Sequence, residues 1–184
     1  GVVPFSIWES DDPKFSNPIL KHLKERQGES TRENTLKSFG GAGENTAYTA
    51  TTSYFNPKLC KIIYSSYCPK NGTIFDPFSS VVRPYMAKIL DYNYVGCEVR
   101  KDECDKINEM LNTNSLFEES DVRVLNMDCR EFETDQKFDL VFTCPPYWNL
   151  ETYSEQDNDL SSIADYSDFL TEMSKVYSKC SSIM

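Results

Sequence analysis

Phe138-Asp139-Leu140-Val141-Phe142-Thr143-Cys144-Pro145-Pro146-Tyr147-Trp148 is the stretch that decides how this chain is read. Residues 138–142 have the apolar, β-branched and aromatic character of a buried strand. A strand that runs into two prolines must stop there. Proline donates no ladder hydrogen bond and restricts the residue before it. The pair therefore fixes a rigid turn at the strand's carboxyl end. Its carbonyls lack local N–H partners, and Tyr147 and Trp148 place flat faces beside them. A rigid acceptor cluster next to aromatic faces suits an exocyclic amino group on a base turned out of its stack.

Working outward, the same apolar signature recurs at 73–76, 94–99 and 122–127, with 138–143 as the fourth short strand. Helical segments separate them, roughly at 57–67, 82–91 and 102–113. Cys68-Pro69-Lys70-Asn71-Gly72 is a turn that launches the first strand. Strands that alternate with helices predict an α/β fold with a parallel sheet and helices on both faces. In such sheets ligands lie beyond the carboxyl ends of the strands, at a switch point. Asp76, Glu98, Asp128 and Cys144 all fall at predicted carboxyl ends, so four polar or turn residues converge on one rim.

The order of these pieces resembles the S-adenosylmethionine-dependent amino-methyltransferases of DNA, which modify adenine N6 or cytosine N4. Thr143-Cys144-Pro145-Pro146-Tyr147-Trp148 is similar to their Pro-Pro-aromatic motif, and Asp76-Pro77-Phe78 to the opening of their cofactor loop. Thr52-Ser53-Tyr54-Phe55-Asn56-Pro57-Lys58-Leu59-Cys60 resembles the segment that leads into the helix before that loop. The chain is also similar to virus-encoded DNA methylases with Asp-Pro-Phe and Cys-Pro-Pro-Tyr motifs, enzymes of the kind found in restriction-modification. The resemblance implies a Rossmann-like methyltransferase core and S-adenosylmethionine as cofactor. It implies that Glu98 accepts from the ribose hydroxyls and Asp128 from the adenine amino group. Asp76 and Phe78 would sit by the methionine part, with Phe55 on the methionine or adenine side. Cys144 and the Pro145 carbonyl, held by Pro146, would take the target amine, and Tyr147 would stack on the target base.

Two positions depart from the family pattern. The loop Asp76-Pro77-Phe78-Ser79-Ser80-Val81-Val82 has no glycine where the family has two, and glycine permits close backbone approach to a ligand. Cys144 stands where the family commonly has Asp, Asn or Ser, and a thiol is a weak acceptor. Three readings therefore stay open: a DNA methyltransferase, a weak or inactive relative serving as a binding or assembly subunit, and a methyltransferase acting on RNA or a small molecule.

Residues 49–184 form the expected core, and 1–48 an N-terminal extension with a mobile loop around Gly40-Gly41-Ala42-Gly43. A helix at about 165–180 follows the fourth strand, with no fifth strand after it. That leaves the sheet incomplete: the chain is a fragment, or a partner chain in a homo- or hetero-oligomer completes the sheet, or the N-terminal segment does. The expectation is a truncated or interrupted chain, or one that associates at the open edge. The net charge of −10 is not that of a stand-alone nucleic-acid binder. Too few residues separate Asp128 from Cys144 to hold a target-recognition segment. DNA contact would come from a further segment or a partner. Lys58, Lys61, Lys70, Arg83, Lys88, Arg100 and Lys101 read as solvated surface. Seven cysteines without a CxxC pair argue against a disulfide framework or a metal site and suit a cytoplasmic setting. The single His22 lies outside the motifs, and no stretch reads as a membrane span.

Overall fold

The structure is a computed structural model that describes residues 55–113, 120–148, 154 and 156–184. They belong to one compact unit, Tyr54–Met184. The expected N-terminal extension and its glycine loop lie outside the described residues. The expected core boundary at 49 does so too.

Each element begins where local chemistry starts it. Helix α1 (Pro57–Tyr67) has Asn56 as its N-cap, whose side chain accepts from the Lys58 N–H at 2.9 Å, and Pro57 in its first turn. Asn71, in the left-handed region at φ 61°, turns the chain into β1 (Thr73–Asp76), which Pro77 ends. Helix α2 (Val82–Ile89) tolerates Pro84 because it sits in the first turn. Strand β2 (Asn93–Glu98) leads into α3 (Lys101–Thr113), whose first turn carries Asp102 and Glu103 against the helix dipole. Strand β3 (Val122–Asn126), a 3-10 turn at Cys129–Glu131 and strand β4 (Leu140–Val141) follow. After a second 3-10 turn at Leu160–Ser162, Asp165 caps α4 (Tyr166–Ser182) by accepting from the Ser167 and Asp168 N–H groups.

All four strands are parallel, in the order β3-β2-β1-β4. The order runs outward from β1 through β2 to β3, then reverses to place β4 on β1's other side. This is the Rossmann-like arrangement, and its switch point lies between β1 and β4. Helices cover both faces. Phe75, Val95 and Cys97 pack with Phe169, Met173, Val176 and Cys180 of α4. The alternate residues Ile74 and Tyr94 are buried on the other face, where the Tyr64 hydroxyl of α1 donates to the Arg83 carbonyl of α2.

The outer edge of β3 is closed by a side chain. Asn108 of α3 accepts from the Val124 N–H at 3.1 Å and donates to the Val124 carbonyl at 2.7 Å, standing in for a neighbouring strand. At the other edge β4 is shorter than the predicted 138–143. The Phe138 N–H is drawn to the Ile183 carbonyl at the end of α4. The Asp139 side chain is spent on the Thr73 N–H. The turn at Pro145 cuts the strand from its far side. Among the described residues no strand pairs with β4 beyond β1.

Candidate functional site

The carboxyl ends of β1, β2 and β3 carry Asp76, Glu98 and Asp128 in or just past the strands, and each is bound in the same local way. Its carboxylate accepts the backbone N–H two residues on: Phe78 for Asp76 at 3.1 Å, Arg100 for Glu98 at 2.9 Å, Arg130 for Asp128 at 2.9 Å. Each is then matched by an arginine. The rim is therefore three carboxylates neutralised by three guanidinium groups, rather than an open acidic edge.

The three pairs differ in what they leave available. Asp76 is fully buried and accepts from Arg83 Nε at 2.5 Å and from the Tyr94 hydroxyl at 2.6 Å. Arg83 also donates to the Phe78 carbonyl and lies over the Phe55 ring at 5.3 Å. Arg83, which the sequence reading places on the solvated surface, is 2% exposed. A buried carboxylate needs a partner, and the guanidinium is the group that can satisfy it and the loop carbonyl together. Asp128 caps the 3-10 turn and takes four contacts from Arg130, two on each oxygen, which fills its acceptor capacity. Arg130 also donates to Glu172 of α4, tying the rim to that helix. Glu98 is buried, yet among the described residues it accepts three bonds, all from Arg100, and Oε2 takes one of them. Burial pushes its carboxyl up and Arg100 opposes the shift.

The loop after β1 has no residue with positive φ, so it needs none of the missing glycines for its own path. The glycine in this region lies beneath it. Ser79 donates its N–H to the Cys97 carbonyl at 2.8 Å, and its hydroxyl lies 3.0 Å from that of Tyr94. A Cβ on Gly96 would meet Ser79 Cβ at 2.6 Å. The bare backbone of β2 thus receives the loop.

The Pro-Pro turn leaves β4 directly beside this loop. Val141 is in register with Phe75, and the Phe142 N–H donates to the Phe75 carbonyl at 3.0 Å. Phe55 packs edge-on against Phe142 at 5.4 Å, so the segment before α1, the β1 loop and the β4 turn meet. Cys144, Pro145 and Pro146 are half-buried, and Tyr147 is 52% exposed. Cys144 Sγ is 3.9 Å from the Tyr147 hydroxyl. Trp148 has a different task from its neighbour. Its Nε1 donates to the Ile163 carbonyl and its ring lies against Tyr166, so it docks the turn onto the chain leading to α4.

The structure thus brings Phe55, Asp76 and Phe78 together through Arg83, packs Phe142 on Phe55, and continues from Phe142 into Cys144–Tyr147. Glu98 and Asp128 stand along the same rim. Sequence reasoning missed the three arginines. Two of them had a readable signal, the repeated spacing Glu98-x-Arg100 and Asp128-x-Arg130 at successive strand ends.

No protein-family model and no curated protein matches the chain. Among solved structures it is similar to an rRNA methylase from Streptococcus thermophilus, at 7% identity and a TM-score of 0.48 over 72% of this chain and 66% of that one. A provisionally named rRNA methylase from Clostridium thermocellum gives 12% identity and 0.46, over 69% and 64%. A provisionally named RNA methyltransferase from Pyrococcus horikoshii gives 16% and 0.45, over 78% and 81%. The chain spans less than two thirds of the length of the first two. At these identities and scores the likeness decides neither activity nor substrate, and the argument for function rests on the residues of the rim.

Proposed function

We propose that this chain transfers a methyl group from S-adenosylmethionine to an exocyclic amino group of a DNA base, cytosine N4 or adenine N6. One observation carries the reading: the Cys144-Pro145-Pro146-Tyr147 turn and the Asp76-Pro77-Phe78 loop issue from the two strands that flank the switch point. A donor at one and an acceptor at the other would face each other across a single crevice.

The residues present fit the cofactor best at Glu98. A carboxylate with acceptor capacity to spare suits a vicinal diol. Asp128 would meet the adenine amino group if Arg130 turned onto its other acceptor, Glu172. Asp76 acts at one remove, holding Phe78 and Arg83 in place under Phe55. The cofactor supplies a methyl group already activated on a sulfonium. The protein's task is then orientation, which in well-aligned systems accounts for about 7–11 kcal/mol of a barrier. The Pro145 carbonyl accepts from the target amine, with the weaker Cys144 thiol beside it. Tyr147 stacks on the base, a contact worth about 1–3 kcal/mol.

A second reading, a weak or inactive relative acting in binding or assembly, is favoured by three observations. Asp76 has no exposed surface, Asp128 is filled by Arg130, and Ser79 rests on Gly96. DNA contact through a further segment or partner, association at the β4 edge, and a reducing cytoplasmic setting belong to the same proposal. Sedimentation of the purified chain reads the association directly.

The test is transfer of labelled methyl from S-adenosylmethionine to duplex DNA and to RNA, side by side, with wild type and Tyr147→Ala. Label in DNA that falls about tenfold or more in the variant supports the proposal. Label in RNA alone moves the substrate. No transfer by a folded chain that binds cofactor favours the second reading.

A further inference from the structure

Glu98 ends β2 with its side chain 8% exposed. A carboxylate this buried drifts towards its protonated form, because lost hydration penalises the charge. Arg100 acts against that drift. Its backbone N–H and Nε donate to Oε1 at 2.9 and 3.2 Å, and its Nη2 donates to Oε2 at 3.2 Å. Among the described residues, α3 brings two further titratable groups to Glu98: Glu103, whose charge opposes ionisation, and Cys104. From the β3 side, Asn126 and the Met127 N–H donate to the Glu98 backbone carbonyl and leave the carboxylate alone. Of the three rim arginines, Arg83 is buried with Asp76 and Arg130 places two donors on each oxygen of Asp128. Arg100 places two donors on Oε1 of Glu98 and one on Oε2, so Oε2 keeps acceptor capacity.

We propose that Arg100 is a positioning residue for the cofactor's ribose: it grips both oxygens of Glu98, more fully Oε1, leaves acceptor capacity on Oε2 for the diol, and holds the carboxylate in the charged form that can accept from both hydroxyls. This rests on the reading that the ribose meets Glu98. A protonated carboxyl would turn one oxygen into a donor and lose the match to a diol. Burial raises the Glu98 carboxyl, and the hydrogen bonds and charge of Arg100 offset part of that rise, leaving it above its ordinary value. Without Arg100, the pH dependence of binding moves to higher pH.

The test uses S-adenosylhomocysteine, titrated calorimetrically from about pH 5.5 to about pH 8.5. The proteins are wild type, Glu98→Gln, Arg100→Met and Arg100→Lys. The Glu98 carboxyl is followed by carbon-detected NMR in free wild type and free Arg100→Met. The wild type is expected to lose affinity only towards the acid end of the range and Glu98→Gln to lose binding. In Arg100→Met the carboxyl titrates at higher pH, and affinity falls about tenfold per pH unit below that point. Arg100→Lys restores part of the wild-type profile. Loss in Glu98→Gln, with Arg100→Met keeping both the wild-type profile and the wild-type titration, overturns the role of Arg100 alone. Glu98→Gln binding as tightly as wild type overturns the ribose reading, and this proposal with it.

Discussion

Ser79 lies on Gly96 so closely that any side chain there would push the loop off the sheet. The contact fixes where the chain goes after β1, and with it the position of Phe78. Gly96→Ala places a methyl 2.6 Å from Ser79 Cβ, backed by the Tyr94 ring at 2.8 Å. It should cost about 1–3 kcal/mol, read as a lower urea midpoint at unchanged slope. An unchanged midpoint would mean that the loop does not rest there. At Asp76 the stakes are higher, because the Arg83 pair is sealed from water. Removing one member of a buried ion pair typically costs about 3–5 kcal/mol, since the other charge is stranded. Arg83→Met should therefore destabilise the chain by about that much, measured by denaturant unfolding. A loss like that of an exposed pair would show that water reaches Asp76.

At the scale of elements, much of the fold could be read from the chain. Alternating apolar runs and helical spacing locate the four strands and four helices of the described residues within a few positions. Pro77 marks where β1 ends, whereas β4 ends at Val141, before Pro145 is reached. What could not be read depends on contacts distant in sequence. The length of β4 is set by the Ile183 carbonyl at the end of α4, which takes the Phe138 N–H. The closure of β3 depends on Asn108, a polar residue on a helix face with no strand-like signal of its own. The candidate site was readable as positions but not as chemistry. Four strand ends could be predicted from spacing, whereas Arg83 looked like solvated charge until packing placed it under Phe55 and against Asp76. Trp148 looked like a stacking face, and its indole N–H turned out to hold the turn in place.

Across the whole molecule, six of the seven cysteines are buried and free, and Cys144 at the turn is half-buried. Burial pushes the Cys60 and Cys129 thiols up to about 12, and the Cys68 and Cys180 thiols up to about 11, from an ordinary 9.0. Burial likewise raises the Tyr64 and Tyr94 hydroxyls. These groups favour the folded state in their neutral form. Their contribution is complete below the unfolded thiol value and is lost as pH rises through the folded ones. Melting temperature should therefore fall steeply above about pH 9, followed by circular dichroism. A flat profile to about pH 11 would show that the thiols titrate as if exposed. No helix among the described residues is long and apolar enough to cross a membrane. The central claim is that one crevice, at the switch point between β1 and β4, serves both cofactor and target. A crystal structure of the chain with S-adenosylhomocysteine tests it most directly. The account predicts the ribose at Glu98 and the sulfur between Phe78 and Cys144. Ligand bound elsewhere, or a folded chain that takes none, would contradict it.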